Sequence, residues 1–471
     1  MKKNNTLKVL LIAILFTFLL TWILPITYFN SGLQTDVRYP AGIFDIFSYP
    51  MLTLYYFGST AIYVLVVGAF YEVFNKTGVF RKIVDKLVKL FKGHELWFFV
   101  AIVTLLSLLV AFCGFSIELF FVLPMVVALV LALGYDKITV ALTFVGSITV
   151  GFAGSLFAKE ITGTYAEALT TKYTDLIWFK LGILVVGIAL LVFNIMWRIK
   201  KKEITKSDDR EYLPEKVEVK TKKGKVKKSW PAIVIFDLIL ILMIMGMLDF
   251  SGAFNVSIFE TFHNNVMNFA IKDYTIFAKI LGSSLQNASL GSWGTNEFVA
   301  IMILATIILA IIYRIKLNDL FDDYKEGAKK FALSAFLMVI VYTVLITTSN
   351  HPFVLTILKP LMEITNGFNS VTLSISMFIA SIFNIDVYYT SSAMLPYVTS
   401  IITDTSIYPL VEFICQVMHG LAILIAPTSV VLLGVLAFLK VNYTEWIKNI
   451  WKFFLELFLF AFVLFIIINL I

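Results

Sequence analysis

The chain has 471 residues and a net charge of +7; 59% of its residues are hydrophobic, 15% are charged, and its mean hydropathy is +0.90. Soluble domains carry about 25% charged residues, so this composition excludes a soluble globular protein and specifies an integral membrane protein. The positive charge does not point to nucleic acid, because the basic residues sit in short loops beside apolar spans, the distribution that the positive-inside rule produces.

Taken in chain order, the first apolar run, Leu7 to Ile26, follows Lys2 and Lys3. It lacks a small-residue cleavage site and reads as a retained span rather than a signal peptide. These lysines place the N-terminus in the cytoplasm and 30–57 outside. A span over 58–75 then returns to Arg81, Lys82, Lys86, Lys89 and Lys92. These fall on a predicted amphipathic helix with Val79, Ile83, Leu87 and Leu90 on its apolar side, suited to the interface. The segment 95–133 reads as a re-entrant hairpin with its tip near Gly114–Glu118, followed by a broken helix from 137 to about 171 and a returning span over 177–197.

Residues 198–230 hold thirteen Lys or Arg against six Asp or Glu. Poor in apolar residues, this stretch predicts a flexible cytoplasmic linker between an N-terminal transmembrane half, 1–197, and a C-terminal half, 231–471. The second half opens with a span over 231–249 and an external stretch 250–296. A span over 297–313, the basic segment Arg314–Lys330 and a span over 331–348 follow. Residues 351–364 should lie along the outer surface, 368–402 form a second hairpin, 407–439 a second broken helix, and 453–470 the last span. Cys113 and Cys415 both lie in apolar segments and indicate core packing, with no disulfide framework and no zinc site.

The stretches 57–160 and 329–432 carry the same ordered signals in register. Lys76-Thr77-Gly78 corresponds to Thr348-Ser349-Asn350, and Pro124 to Pro396. The break at Gly151-Phe152-Ala153-Gly154-Ser155 corresponds to Ala426-Pro427-Thr428-Ser429. Loop charge starts one copy outside and the other inside. The predicted fold is therefore an all-α polytopic membrane protein with inverted structural repeats, two re-entrant hairpins and two broken transmembrane helices, the pattern of secondary transporters.

Charged side chains in mid-membrane cost about 2.5–3.5 kcal/mol on insertion scales, so they usually face a cavity or a partner. Hairpin tips and helix breaks free backbone groups that neighbours, ions or substrate must satisfy. Half-helix N-termini suit anions, while freed carbonyls, hydroxyls and carboxylates suit Na+, H+ or an ammonium group. On these grounds the candidate substrate site comprises Ser116 and Glu118 at the first tip, with Gly154, Ser155, Lys159 and Glu160 at the first break. Asn384, Asp386, Thr390, Ser391 and Ser392 join it at the second hairpin, and Gln416, His419, Pro427, Thr428 and Ser429 on the second broken helix. Each has a plainer reading. Glu118 and Asp386 would be merely solvated if nearer the surface, Lys159 and Glu160 could pair with each other, and His419 could be a helix–helix contact. No metal centre is predicted; a sodium ion would sit near Gly114, Ser116, Ser391 and Thr428. No cofactor is expected beyond a coupling ion, H+ or Na+. P-loop, HExxH and nucleophile-elbow patterns are absent, so no enzyme is expected.

At these residues the chain resembles the YfcC-type carriers, grouped with C4-dicarboxylate carriers and arginine/ornithine-antiporter-like proteins in the ion transporter superfamily. The resemblance rests on Leu20-Thr21-Trp22-Ile23-Leu24-Pro25, Asn75-Lys76-Thr77-Gly78 and Leu131-Ala132-Leu133-Gly134-Tyr135-Asp136. It continues through Gly151-Phe152-Ala153-Gly154, Glu326-Gly327-Ala328 and Pro427-Thr428-Ser429. It implies an inverted-repeat carrier, usually a homodimer, with substrate held between hairpin tips and broken helices by Glu118, Gly154, Ser155, Gln416 and Pro427-Thr428-Ser429. The departures lie at the site. Ala158-Lys159-Glu160 stands where the family tends to place Asn-Pro, Asp386 to Ser392 replaces a Ser/Gly-rich tip, and His419 stands in an acidic position. The resulting expectation is a secondary carrier or exchanger in the cell membrane, moving a small charged metabolite. An amino acid, basic ones included, is the first expectation; a di- or monocarboxylate is the alternative, and a polytopic membrane enzyme or assembly factor the rival of another class.

Overall fold

The computed structural model describes residues 5–30, 32–201, 210–217, 228–281, 288–365, 368–383 and 386–470. Among them, nine helical stretches are long and apolar enough to cross a bilayer. The first half contains α1 (Thr6–Ile23), α2 (Asp45–Lys76), α3 (Val79–Phe91), α4 (Glu95–Cys113) and α5 (Leu123–Ala132). It continues with α6 (Lys137–Ala153), α7 (Thr164–Leu169) and α8 (Ile177–Lys200). Beyond the linker lie α9 (Trp230–Met247), α10 (Ile258–Met267), α11 (Ile276–Leu281) and α12 (Thr295–Tyr313). Then come α13 (Leu317–Ile340), α14 (Thr343–Asn350), α15 (Val354–Glu363), α16 (Ser370–Phe383) and α17 (Val387–Ile401). The chain closes with α18 (Tyr408–Ile425), α19 (Val430–Leu439) and α20 (Tyr443–Leu470). Two short antiparallel strand pairs, Thr27–Phe29 with Leu33–Thr35 and Ala270–Ile271 with Tyr274–Thr275, lie between helices.

The repeat alignment pairs α2 with α13–α14, α3 with α15, α4 with α16, α5 with α17, α6 with α18 and α8 with α20. Packing follows the same pairing: α4 lies on α6 and α8, as α16 lies on α18 and α20. Three of these equivalent pairs, α2 with α13, α6 with α18 and α8 with α20, also pack on each other across the halves, and they do so antiparallel. Along α2, Phe57 stacks on Tyr342, whereas eleven residues on Gly68 meets Gly327, so one number rises as the other falls. Between α8 and α20 the same order holds, with Asn194 donating to Glu456 at 2.5 Å and Arg198 to Asn449. Copies of like orientation would place their equivalents parallel. Antiparallel equivalents mean that the repeats are inverted, as the loop charges predict.

Several expectations need correction. The second span is the 32-residue α2, reaching back to Asp45, and the last span begins at Tyr443 rather than 453. Lys452 thus lies inside α20, its ammonium group over the Trp197 ring, 4.0 Å from the centroid, a cation–π contact. On α3 Val79 is buried and Ile83 and Leu87 pack against the core as the apolar side predicts, whereas Leu90 is 64% exposed. The linker is not uniformly free. Residues 210–217 are docked as a strap, with Tyr212 donating to the Phe438 carbonyl at 2.9 Å and Glu211 bound to Lys440 at 2.6 Å. The Glu215 N–H donates to Asn75 at 3.1 Å, and Pro214 is buried.

Candidate functional site

The hairpin tips and helix breaks have local causes. α4 ends at Gly114, whose φ of +77° lies in the left-handed region that favours glycine. A Cβ there would lie 3.4 Å from that of Ala158 and 3.6 Å from that of Glu160, so the tip packs on the first break. Beyond α6 the N–H groups of Leu156 and Phe157 donate to the Ala111 carbonyl, at 2.8 and 3.1 Å. This satisfies backbone that a bilayer could not. The chain then makes a π-type turn over Lys159–Gly163, a form that often marks functional sites. In the second repeat Pro427 follows the end of α18, and the Ser429 hydroxyl accepts from the Leu432 N–H at 3.3 Å, capping α19. Asp386 caps α17 in the same way, accepting from the Tyr389 N–H at 3.2 Å.

These features converge on a cavity of about 370 Å³ between the two hairpins and the two broken helices. Glu118, Glu160, Asp386 and His419 line it with Ser116 and Ser429, joined by Phe152, Trp293, Thr295 and Tyr342. Three carboxyl groups and an imidazole thus face one space, and no Lys or Arg is among its lining residues. Glu118 accepts from the Ser116 N–H at 3.1 Å, while its own carbonyl accepts from the Tyr63 hydroxyl at 2.6 Å. The His419 ring stacks on Phe152 with centroids 5.0 Å apart. Glu118 and Asp386 are each tied to a backbone N–H, whereas Glu160 is exposed and its carboxyl makes no hydrogen bond among the described residues. It stands close enough to both other acids to feel their charge. Glu160 also lines a second, open cavity of about 880 Å³, a vestibule shared with Lys159, Lys172, Tyr173 and Asp249.

Of the sequence candidates, Ser116, Glu118, Glu160, Asp386, His419 and Ser429 line the central cavity. The others do not. Lys159 faces the vestibule, where its ammonium donates to the Ser292 hydroxyl at 3.2 Å. Gly154 is pressed against Leu184, with room for no Cβ. Ser155 pairs with the Thr162 hydroxyl at 2.8 Å. Gln416 serves the break itself, donating to the carbonyls of Ala153 and Ser155 at 2.9 and 3.0 Å and accepting from Thr162. Thr390, Ser391 and Ser392 turn their hydroxyls back to carbonyls of their own helix. Thr428 donates to the Ile382 carbonyl, tying the second break to the second hairpin, and neither it nor Pro427 lines the cavity. Asn384 lies outside the described residues. No cluster of three metal-ligating side chains occurs among the described residues.

Other participants were not singled out from sequence. Trp293 and Thr295 enter from Gly291-Ser292-Trp293-Gly294-Thr295, a Gly-rich stretch just before α12. Lys180 is a charge within a predicted span, and the reasoning that marked Glu118 would have marked it. It forms a fully buried ion pair with Glu412, 2.7 Å apart.

A family model described as DcuC, C4-dicarboxylate anaerobic carrier, matches residues 57–470. A protein of Haemophilus influenzae described as uncharacterized is 29% identical over 155 residues, which cover 32% of this chain and 30% of that relative's length. Among solved structures, the Alcanivorax borkumensis YdaH transporter, whose crystal structure is described as revealing an unusual topology, aligns over 98% of this chain and 97% of its own. The identity is 13% and the TM-score 0.40.

Proposed function

The chain belongs to the C4-dicarboxylate anaerobic carrier family, DcuC, and from that premise we propose that it is an ion-coupled carrier whose own substrate is a cationic or zwitterionic amino acid. It is a multi-pass membrane carrier of small metabolites and not an enzyme. The observation that favours an amino acid is the cavity lining: three carboxyl groups and His419, with no Lys or Arg. Two like charges 4 Å apart repel by about 4 kcal/mol at an effective dielectric of 20, so a dianion there would meet repulsion where an ammonium group meets attraction. Glu160, the acid free of backbone bonds, takes the substrate's cationic group. The N-terminus of α19, capped by Ser429 and reaching the cavity at Val430 and Val431, receives its carboxylate. Glu118 and Asp386, on the other walls of the cavity, share the substrate's charge. In the cell membrane the basic linker lies in the cytoplasm with the N-terminus, the vestibule faces out, and the carrier is a homodimer.

The family favours a second reading, a C4-dicarboxylate, with helix N-termini and vestibule Lys159 as counter-charges. Counterflow in proteoliposomes separates the two, using labelled arginine against labelled succinate. Arginine exchange abolished by Glu160→Gln supports the amino-acid reading. Succinate exchange with arginine inert overturns that substrate and leaves the carrier.

A further inference from the structure

A second set of intramembrane charges lies outside the cavity and has no part in the substrate site. Lys180 in α8 and Glu412 in α18 are both fully buried, with Nζ and Oε1 2.7 Å apart. The other carboxylate oxygen of Glu412 accepts from the Thr171 hydroxyl, and Lys180 also donates to the Tyr173 carbonyl at 3.3 Å. The pair thus bridges the first repeat to the second. Apolar residues of similar volume are often as stable as a buried ion pair, or more so, so packing alone gives no reason for these two charges. Ionisable residues buried within membrane-spanning helices commonly mark ion or proton pathways.

Two placements give the pair a role. The first is access: Thr171 and Tyr173 line the vestibule, so a single hydroxyl separates Glu412 from its water. The second is transmission. Glu412, Gln416 and His419 fall at i, i+4 and i+7, on one face of α18, and span about 10 Å at 1.5 Å per residue. Glu412 holds the ion pair, Gln416 holds the break of α6, and His419 lines the cavity. A displacement of α18 at one end of this stripe is felt at the other.

Building on the carrier reading above, we propose that Glu412 is the site that takes up the coupling proton, with Lys180 as the fixed charge that replaces the proton when it leaves. A proton from vestibule water adds to the carboxylate, and Lys180 remains an ammonium. A neutral pair becomes a neutral acid beside a buried cation, which is costly at low dielectric. Protonation therefore favours an arrangement in which α8 and α18 part and Lys180 reaches water, and deprotonation re-forms the pair. The titratable groups near Glu412 include Asp175 and Tyr173 from the loop before α8 and Cys415 on its own helix, and α7, packed on α18, adds Tyr165 beside Cys415 and Glu167. Asp249 is reached through the Tyr173 hydroxyl at 2.6 Å. α16 carries no charged residue, and α20 meets this end of α18 at Phe465, in its charge-free stretch 457–470.

The test compares wild type, Glu412→Gln and the double variant Lys180→Met/Glu412→Leu in proteoliposomes, with labelled arginine and labelled succinate as probes. Removing both charges together avoids a lone buried charge, so the double variant folds and retains measurable exchange. With one proton per substrate, a one-unit pH gradient sustains up to about tenfold accumulation; the double variant is expected to accumulate nothing. Undiminished accumulation by the double variant overturns the proposal. If wild type moves neither probe, the substrate reading fails separately and the proton site is read without substrate. The infrared difference across roughly pH 5 to 8 is then expected to carry a buried-carboxyl band that Glu412→Gln removes. Identical spectra from the two proteins overturn the proposal.

Discussion

Gly68 and Gly327 meet backbone to backbone: a Cβ on Gly68 would lie 2.5 Å from the Gly327 carbonyl oxygen, and a Cβ on Gly327 would lie 2.3 Å from that of Gly68. They sit on equivalent helices of the two repeats, at a close approach of α2 and α13, where small residues let membrane helices pack tightly. Gly68→Ala is expected to force the helices apart at a cost of about 1–3 kcal/mol. A lowered melting temperature of the detergent-solubilised protein would register this; an unchanged one would show that the crossing tolerates a methyl group.

Glu160 and Ser155 lie five residues apart but should behave differently. Glu160 faces the cavity without a backbone partner, whereas Ser155 is fully buried against Thr162. A hydrogen bond to a charged group contributes about 1.5–3 kcal/mol, roughly 10- to 100-fold in affinity. Glu160→Gln should weaken arginine half-saturation by that factor, while Ser155→Ala should lower stability more than affinity. Equal effects on affinity would argue against Glu160 as the ligand.

The strap 210–217 roofs a cavity of about 390 Å³ lined by Asn75, Pro124, Val127 and Lys330. Partial burial would raise the Glu211 carboxyl, but the Lys440 ammonium at 2.6 Å and the nearby Lys137 prevail and hold it below the usual carboxylate range. A depressed folded-state value gives stability above the unfolded pKa that is lost as pH falls through the folded one. Strap amides, Glu215 among them, should therefore lose hydrogen-exchange protection in acid, measured against the unfolded chain at the same pH. The pair is partly exposed and contributes at most about 1 kcal/mol, so the loss is at most about fivefold. In Glu211→Gln this pH dependence should vanish; if it persists, another group governs the strap.

At the start of α6, Asp136 accepts from the Thr139 N–H at 2.9 Å and from Arg198 at 2.5 Å, both acid and guanidinium buried. Asp136→Asn keeps the shape and removes the counter-charge, at an expected cost of about 3–5 kcal/mol. Chemical unfolding should reveal this as a large fall in midpoint; a change below 1 kcal/mol would mean that Asn449 and water compensate Arg198 unaided.

The elements with strong local signals were the readable ones. Gly114, Pro427 and the glycines of 151–154 interrupt apolar runs, and breaks stand at those places because these residues end helices whatever surrounds them. Inversion was readable from loop lysines, which obey the membrane rather than the fold. Side-chain direction was not. Lys159, Thr390, Ser391 and Ser392 are polar and close in sequence to a break or a tip, but helical rotation turns them away from the cavity. The docking of Tyr212 and Pro214 depends on surfaces more than a hundred residues distant, with no local period to betray it. Glu412 lies in the predicted broken helix 407–439, but its partner is 232 residues away, so no local pattern marks the pair.

That separation has a consequence for assembly. Lys180 is inserted 232 residues before the carboxylate that neutralises it is made. At roughly 5–20 residues per second, the first half waits roughly 10 to 50 s with an unmatched ammonium group in the first turn of a membrane span, a burden that stays below the mid-bilayer figure of about 2.5–3.5 kcal/mol. Nascent chains halted in that interval carry a marker of incompleteness that quality control can read, and completion of the second half erases it.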